Sequence, residues 1–290
     1  MSTPILDALG RALDPTIPRA RVVSLVPSET ESVVAMVGVA RLVGRTDFCE
    51  EPAAELERVP SVGGTKRFDP AAVIALAPDL VLANKEENGR SDVEALLAAG
   101  LDVHVSFPRT LADNVAYLDA LAALLGAPDA ARRERDLLRS HASATPDVRA
   151  SVAAPIWREP WMTFDERTYA SDVLRAIGAH NVFSGRPRAY PLAADLRQAA
   201  PLPPERTAGR DTRYPRFEWS ELVERAPQLL LLPDEPYRFG EAERSELSAA
   251  LPQAQVALVS GKDLFWYGVR SADAIARLGA QLDQLLSSGR

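Results

Sequence analysis

Two stretches of this chain repeat one phrase: "APDLVLANKE" at 77–86 and "APQLLLLPDE" at 226–235 share Ala, Pro, two leucines and the closing Glu. In each, a proline ends a helical pattern, an apolar run follows, and the run stops abruptly in charge. A short apolar run after a helix, punctuated in this way, reads as a strand of a βαβ unit. Its occurrence twice, 149 positions apart (226 − 77), points to two similar α/β lobes.

The rest of the chain fits that reading. Val22 to Val26 is a strand-like run ending at Pro27, and "SETE" from Ser28 to Glu31 has the spacing of a capping box opening a helix towards Gly38. Asp69-Pro70 supplies an N-cap and an N1 proline for the helix "AAVIALA". Ser91 with Glu94 caps another helix, stopped at Gly100, and Leu101 to Phe107 is a strand that includes His104. Thr110 to Leu125 is a helix, and "DAARRERDLLRSH", Asp129 to His141, is a polar one, solvated on most faces as a connector would be. The alternation then restarts with a strand at Val152 to Trp157, a helix at Thr168 to Ile177, strands at Leu229 to Leu232 and Val256 to Val259, and a terminal helix at Ser271 to Leu286. The expected fold is α/β, two Rossmann-like lobes joined by a single long helix, with a ligand cleft between the lobes. The expected organisation is an N-terminal extension over 1–20, a lobe over 21–127, a linking helix over 128–147 and a second lobe over 148–290.

Composition removes several function classes. A net charge of −7 and an isoelectric point near 5.2 argue against nucleic acid or anionic lipid as the main partner. The lone cysteine, Cys49, rules out an intrachain disulfide, and no stretch approaches the ~18 apolar residues of a membrane helix, so no membrane insertion is expected. The first twenty residues carry Asp7, Arg11, Asp14 and Arg19 and lack the apolar core of an export signal. A cytoplasmic location is expected if Met1 is the native start, and a periplasmic or cell-surface one if it is not.

Several motifs, in this order, resemble the class III substrate-binding proteins, the helical-backbone metal receptor group that includes vitamin B12 and iron-siderophore binders. They are "RVVSLVPSETE", "LVGRTDFCEEP", "RVPSVGGTKRFDP", "VIALAPDLVLANKEEN", "PIWREPWMTFDERTYASDVLRAIGAHNVF", "RYP", "LLPDEPYRF" and "LVSGKDLFWYG". The match covers most of Arg21 to Arg270 and is nearest a branch whose members often lack a signal peptide. It implies two lobes joined by one long helix and a small-molecule ligand, cobalamin-like, siderophore or another metal chelate, with no cofactor required beyond a bound corrinoid or chelate. It also implies departures. Transporter-linked members dock on an ABC permease through one glutamate per lobe, and those positions read Ala71 and Ser220 here, the latter beside Glu221. The corrin-stacking tryptophans of B12 binders correspond to Thr65 and Asn84.

Candidate ligand contacts gather at the strand ends, where open parallel sheets bind ligands. They are Phe48, Lys66, Lys85, Glu86 and Glu87 in the first lobe and Trp157, Glu235, Tyr237, Arg238, Trp266 and Tyr267 later in the chain. The aromatics suit a flat or apolar ligand or else pack between strand and helix, and the charges hold a ligand or else bridge one another. Cys49 with its neighbouring carboxylates is an incomplete metal site or a buried inert thiol. His104 and His180 read as core or helix-end residues. The stretch Ser184 to Phe217, rich in proline and arginine, reads as an insertion, either a surface loop or an arginine-rich lid over an acidic or phosphate-bearing ligand. No catalytic residue set is recognisable, so a binding protein is expected. The rival readings are an ABC importer component and an enzyme using Glu86, Glu235 or Tyr267 as acid–base groups.

Overall fold

The computed structural model describes residues 3–288. Met1, on which the expectation about the chain's start turns, lies outside them. The chain divides into two compact units. One comprises residues up to Ser140 together with Trp266–Ala272, and the other comprises His141–Phe265 and the residues from Asp273 onwards.

The first unit opens with a hairpin, β1 (Ile5–Leu6) against β2 (Ala12–Leu13). Its main sheet contains β3 (Val22–Ser24), β4 (Leu42–Arg45), β5 (Leu80–Asn84) and β6 (Val103–Ser106), all parallel in the order β4-β3-β5-β6. The hairpin is pinned to β6: the Ala8 amide donates to the Val105 carbonyl, Arg11 to the Val103 carbonyl, and buried Arg19 to Asp102 at 2.8 Å. The core packs Val23, Leu25, Val81, Ala83, Val103 and Val105 from the strands against Val73, Val93 and Leu96 from the helices. The second unit repeats the plan with β7 (Ala150–Ala153), β8 (Ala179–Asn181), β9 (Leu229–Pro233) and β10 (Gln255–Val259), parallel in the order β10-β9-β7-β8.

The repeated phrase extends to the backbone. Both β5 and β9 are buried at every residue. Immediately before each, an alanine adopts the left-handed conformation, Ala77 at φ +46° and Ala226 at φ +44°, and a proline follows. A left-handed residue with proline behind it stops a helix and turns the chain into the strand.

Local punctuation differs from the sequence reading in three places. The helix Pro27–Val37 starts two residues earlier than expected, with Val26 at the N-cap and no side-chain cap, because Pro27 presets the first turn. Ser28 therefore sits inside the helix, and Glu31 pairs with Arg270 at 2.7 Å instead of closing a capping box. The helix Arg90–Ala98 starts after Gly89, so Ser91 is no cap, and Glu94 pairs with Arg90. The helix expected over 128–147 runs from Arg132 to Ser143, since left-handed Ala131 (φ +50°) blocks extension at one end and Pro146 stands beyond the other. The division between units falls inside that helix, whose Arg135 and Arg139 both pair with Asp119. Asp69 does cap its helix, accepting from the Ala71 amide at 2.9 Å.

Candidate functional site

In the first unit the carboxyl ends of β3, β5 and β6 converge on a buried polar cluster. Pro27 places Glu29 in the first helical turn after β3, β5 ends in Asn84, and β6 ends in Ser106. One Glu29 carboxyl oxygen accepts from Ser106 Oγ at 2.5 Å and from the Tyr267 hydroxyl at 2.7 Å. Asn84 Nδ2 donates to Ser106 Oγ and to the Tyr267 oxygen, each at 3.1 Å. The other Glu29 oxygen is buried without a hydrogen-bond partner. Burial pushes the Glu29 pKa up to about 8, against the two hydroxyl donors and with help from the Glu87 charge, so the group is a neutral acid at neutral pH. Tyr117 meets the Tyr267 ring edge-on at 5.3 Å. Burial raises the pKa of both phenols and lowers that of His104, whose side chain lies in this core, to about 4.

Tyr267 arrives on a short segment seated on this cluster. Asn114 grips Gly268 from both sides, accepting from its amide at 2.8 Å and donating to its carbonyl at 3.2 Å. The Val269 amide donates to Ser32 Oγ at 3.2 Å. Gly268 has φ +93°, and a Cβ there would overlap Ser32 Oγ and crowd the Ser28 carbonyl at 3.2 Å. Only glycine fits both constraints.

The expected ligand contacts of the first unit surround this cluster in varied settings. Tyr267 is 5% exposed. Its phenol belongs to the buried cluster, where the sequence reading placed it facing a ligand. Trp266 is half-buried with the Arg270 guanidinium 5.4 Å from its ring. Phe48 is 61% exposed. Lys66 donates to the Glu86 carbonyl, and Lys85 stands 5.3 Å from the Phe107 ring centre, so the two lysines order the turn's backbone and rim. Asn84 Oδ1 accepts from the Glu86 amide at 2.7 Å, while Asn88 accepts from the Asn84 amide and donates to the Leu25 and Thr65 carbonyls. Asn84 therefore organises the charged turn after β5 and leaves no surface at its position for stacking.

In the second unit the strand ends are aromatic and more open. Trp157, beyond β7, is 44% exposed and meets Tyr237 edge-on at 5.8 Å, and Tyr237 in turn packs on Phe239 at 4.5 Å. Asp234 at the end of β9 accepts from the Gly261 amide at 2.7 Å, tying the turn after β9 to that after β10. Glu235 is half-buried over Gly261, and Arg238 is exposed. Trp161 stacks parallel to Phe239 at 6.3 Å and belongs to the core.

Cys49 is buried between Thr30 Oγ1 (3.0 Å) and Thr46 Oγ1 (3.2 Å), and burial raises its pKa, so it stays a thiol. Among the described residues no group of three or more His, Cys, Asp or Glu side chains could hold a metal ion. Ala71 and Ser220 are exposed, but Glu221 is buried and pairs with Arg186, Arg197 and Arg225, so it is committed inside the second unit. Sequence reasoning missed Glu29, Ser106, Asn114 and Tyr117. An acid in a first helical turn reads as a partner of the helix dipole, and no local signal marks it as buried.

The sequence profile of the periplasmic binding protein family matches residues 22–229. The chain belongs to that family, a family of binding proteins. It is 28% identical over 197 residues to a vitamin B12-binding protein of Vibrio parahaemolyticus, covering 65% of this chain and 70% of that one. With a vitamin B12-binding protein of Yersinia pestis it shares 29% over 172 residues, 57% of this chain, and spans only 60% of that relative's length. Among solved structures, the periplasmic vitamin B12 binding protein BtuF of Vibrio cholerae superposes with a TM-score of 0.66 at 20% identity, covering 92% of this chain and 98% of that one. The periplasmic heme-binding protein RhuT from Roseiflexus sp. RS-1 superposes with 0.69 at 18%, covering 92% and 98%. The fold is thus that of two α/β lobes built on parallel sheets, as the sequence indicated.

Proposed function

We propose that this protein binds a small molecule, a cobalamin-like, siderophore or other metal-chelate compound, at the carboxyl ends of its parallel sheets, without a resident cofactor. One observation carries the reading: aromatic side chains stand exposed at strand ends, Phe48 in the first unit and Trp157 beside Tyr237 in the second. Large aromatic rings left in water lose the free energy that burial against a flat ligand returns. Charged turns at Lys85–Glu87 and Glu235–Arg238 offer groups that orient such a ligand. Relatives named for vitamin B12 and neighbours named for heme support the ligand class.

Titration with cyanocobalamin, haemin and a ferric hydroxamate, followed by tryptophan fluorescence, tests this. One of them should bind at micromolar concentration or tighter, and Trp157→Ala should weaken that binding at least about tenfold, the equivalent of ~1.4 kcal/mol. Failure of all three to bind discards the ligand class.

A second reading, as the substrate-binding component of an ABC importer, rests on the family. The family's description favours a periplasmic location over a cytoplasmic one. No helix among the described residues is long and apolar enough to cross a membrane. Exposed Ala71 and Ser220 supply no docking charge, so transport would need other contacts. Co-purification with a permease after crosslinking would favour this reading, and its absence would leave binding alone.

A further inference from the structure

The insertion within the second unit is a built structure with an unneutralised positive centre. Its base is anchored by Arg186, which donates to Glu221 at 3.0 Å, to the Asp195 carboxylate at 2.9 Å and to the Asp195 and Arg216 carbonyls. Buried Asp195 also accepts from the Ala189 amide at 2.9 Å and the Arg216 amide at 2.7 Å. The insertion's ends are tied together by the Arg188 amide on the Thr212 carbonyl at 2.7 Å, the Tyr190 hydroxyl on the Asp211 carbonyl at 2.6 Å and the Leu202 amide on the Tyr190 carbonyl at 2.7 Å.

On this frame two guanidiniums share one ring: Arg188 stands 4.4 Å and Arg210 4.9 Å from the Tyr190 ring centre. Arg216, half-buried, donates to the Tyr214 carbonyl at 3.0 Å. Nearby acids are committed elsewhere, Asp195 to Arg186 and Asp211 to Arg213 at 2.6 Å. None of Arg188, Arg210 and Arg216 forms an ion pair among the described residues, although the chain as a whole is acidic. Burial, and after it the neighbouring Arg188 charge, lower the Arg216 pKa. A guanidinium engaged with a ring keeps its N–H groups for an oxyanion.

We propose that Arg188, Arg210 and Arg216 around Tyr190 form an anion-binding site for a phosphate or carboxylate group. The site is confined to the second unit and does not depend on the ligand proposed above.

The test is thermal unfolding of the full chain titrated with inorganic phosphate, with malonate as the carboxylate arm and sodium chloride at matched ionic strength. Phosphate or malonate should raise Tm saturably and chloride should not. Whichever anion raises it further names the source chemistry. The double variant R188Q/R216Q should weaken the response at least tenfold, whereas R206Q, an exposed arginine of the same insertion, should keep it. If the double variant unfolds without anion, exposed R210Q is read in its place and should weaken the response about threefold or more. An equal response to chloride, an undiminished response in the variant read, or no response in the unsubstituted protein overturns the proposal.

Discussion

The carboxyl ends of the two sheets follow the same backbone phrase and finish it differently. After β5 the chain turns through Asn84 into a cluster in which Glu29, Ser106 and Tyr267 bond one another out of contact with water. After β9 it turns through Asp234, whose carboxylate accepts from the Gly261 amide, and leaves Trp157 and Tyr237 partly exposed. The difference separates two tasks that strand ends can serve. A closed polar cluster fixes geometry, because each buried group needs its partner. An open aromatic end keeps surface free for something else to cover.

Four outcomes would break or sharpen this contrast. The largest effect is expected from Gly268→Ala, which combines a left-handed backbone with overlap on Ser32 and should cost about 3 kcal/mol by urea denaturation. A cost below about 1 kcal/mol would show that the segment is not locked. Tyr267→Phe leaves Glu29, Ser106 and Asn84 each short of a partner and should cost about 2 kcal/mol, whereas Tyr237→Phe, in the open end, should cost less than about 0.5 kcal/mol.

The pH dependence follows from two groups. Glu29 goes from an ordinary 4.5 to about 8, so the folded state holds an extra proton across that interval and stability falls as pH rises through it. His104 goes from 6.5 to about 4, so the unfolded state holds the extra proton there and stability rises with pH from 4 to 6.5. The two oppose each other below 6.5, and Glu29 acts alone from 6.5 to 8. Stability should fall by about 1–2 kcal/mol over that upper window. Glu29→Gln, an uncharged mimic, should flatten it, and a decline unchanged in that variant would place the titration elsewhere. The smallest effect tests the shared phrase: Ala77→Gly and Ala226→Gly each relieve a left-handed alanine and should stabilise by roughly 0.5 kcal/mol, equally if the units are true counterparts.

Much of the α/β plan was legible because it is written in short-range patterns. The apolar runs of β5, β9 and β10, the Asp69-Pro70 cap and the glycine after the helix Arg90–Ala98 each signal through neighbours in sequence. The strands β4 and β8 and the β1–β2 hairpin escaped notice because two to four residues show no periodicity. The insertion was visible as composition, but its order was not, since it rests on Arg186 reaching Asp195 and Glu221 across up to 35 positions. The same holds at the candidate site. The charged turns and exposed aromatics announced themselves, whereas the Glu29 cluster joins residues separated by 77 and 238 positions. Ser28 and Ser91 misled for a related reason: a local capping pattern was outweighed by Pro27 in one case and Gly89 in the other.

The assignment of Trp266–Ala272 to the first unit bears on how the protein is made. A ribosome releases residues 3–140 long before the phenol that completes their interior. Until Tyr267 emerges, the Glu29 carboxyl must be hydrated, and the space for that phenol beside Tyr117 must stay open or collapse. The amino-terminal part therefore cannot reach its finished state until one tyrosine and the glycine behind it are seated.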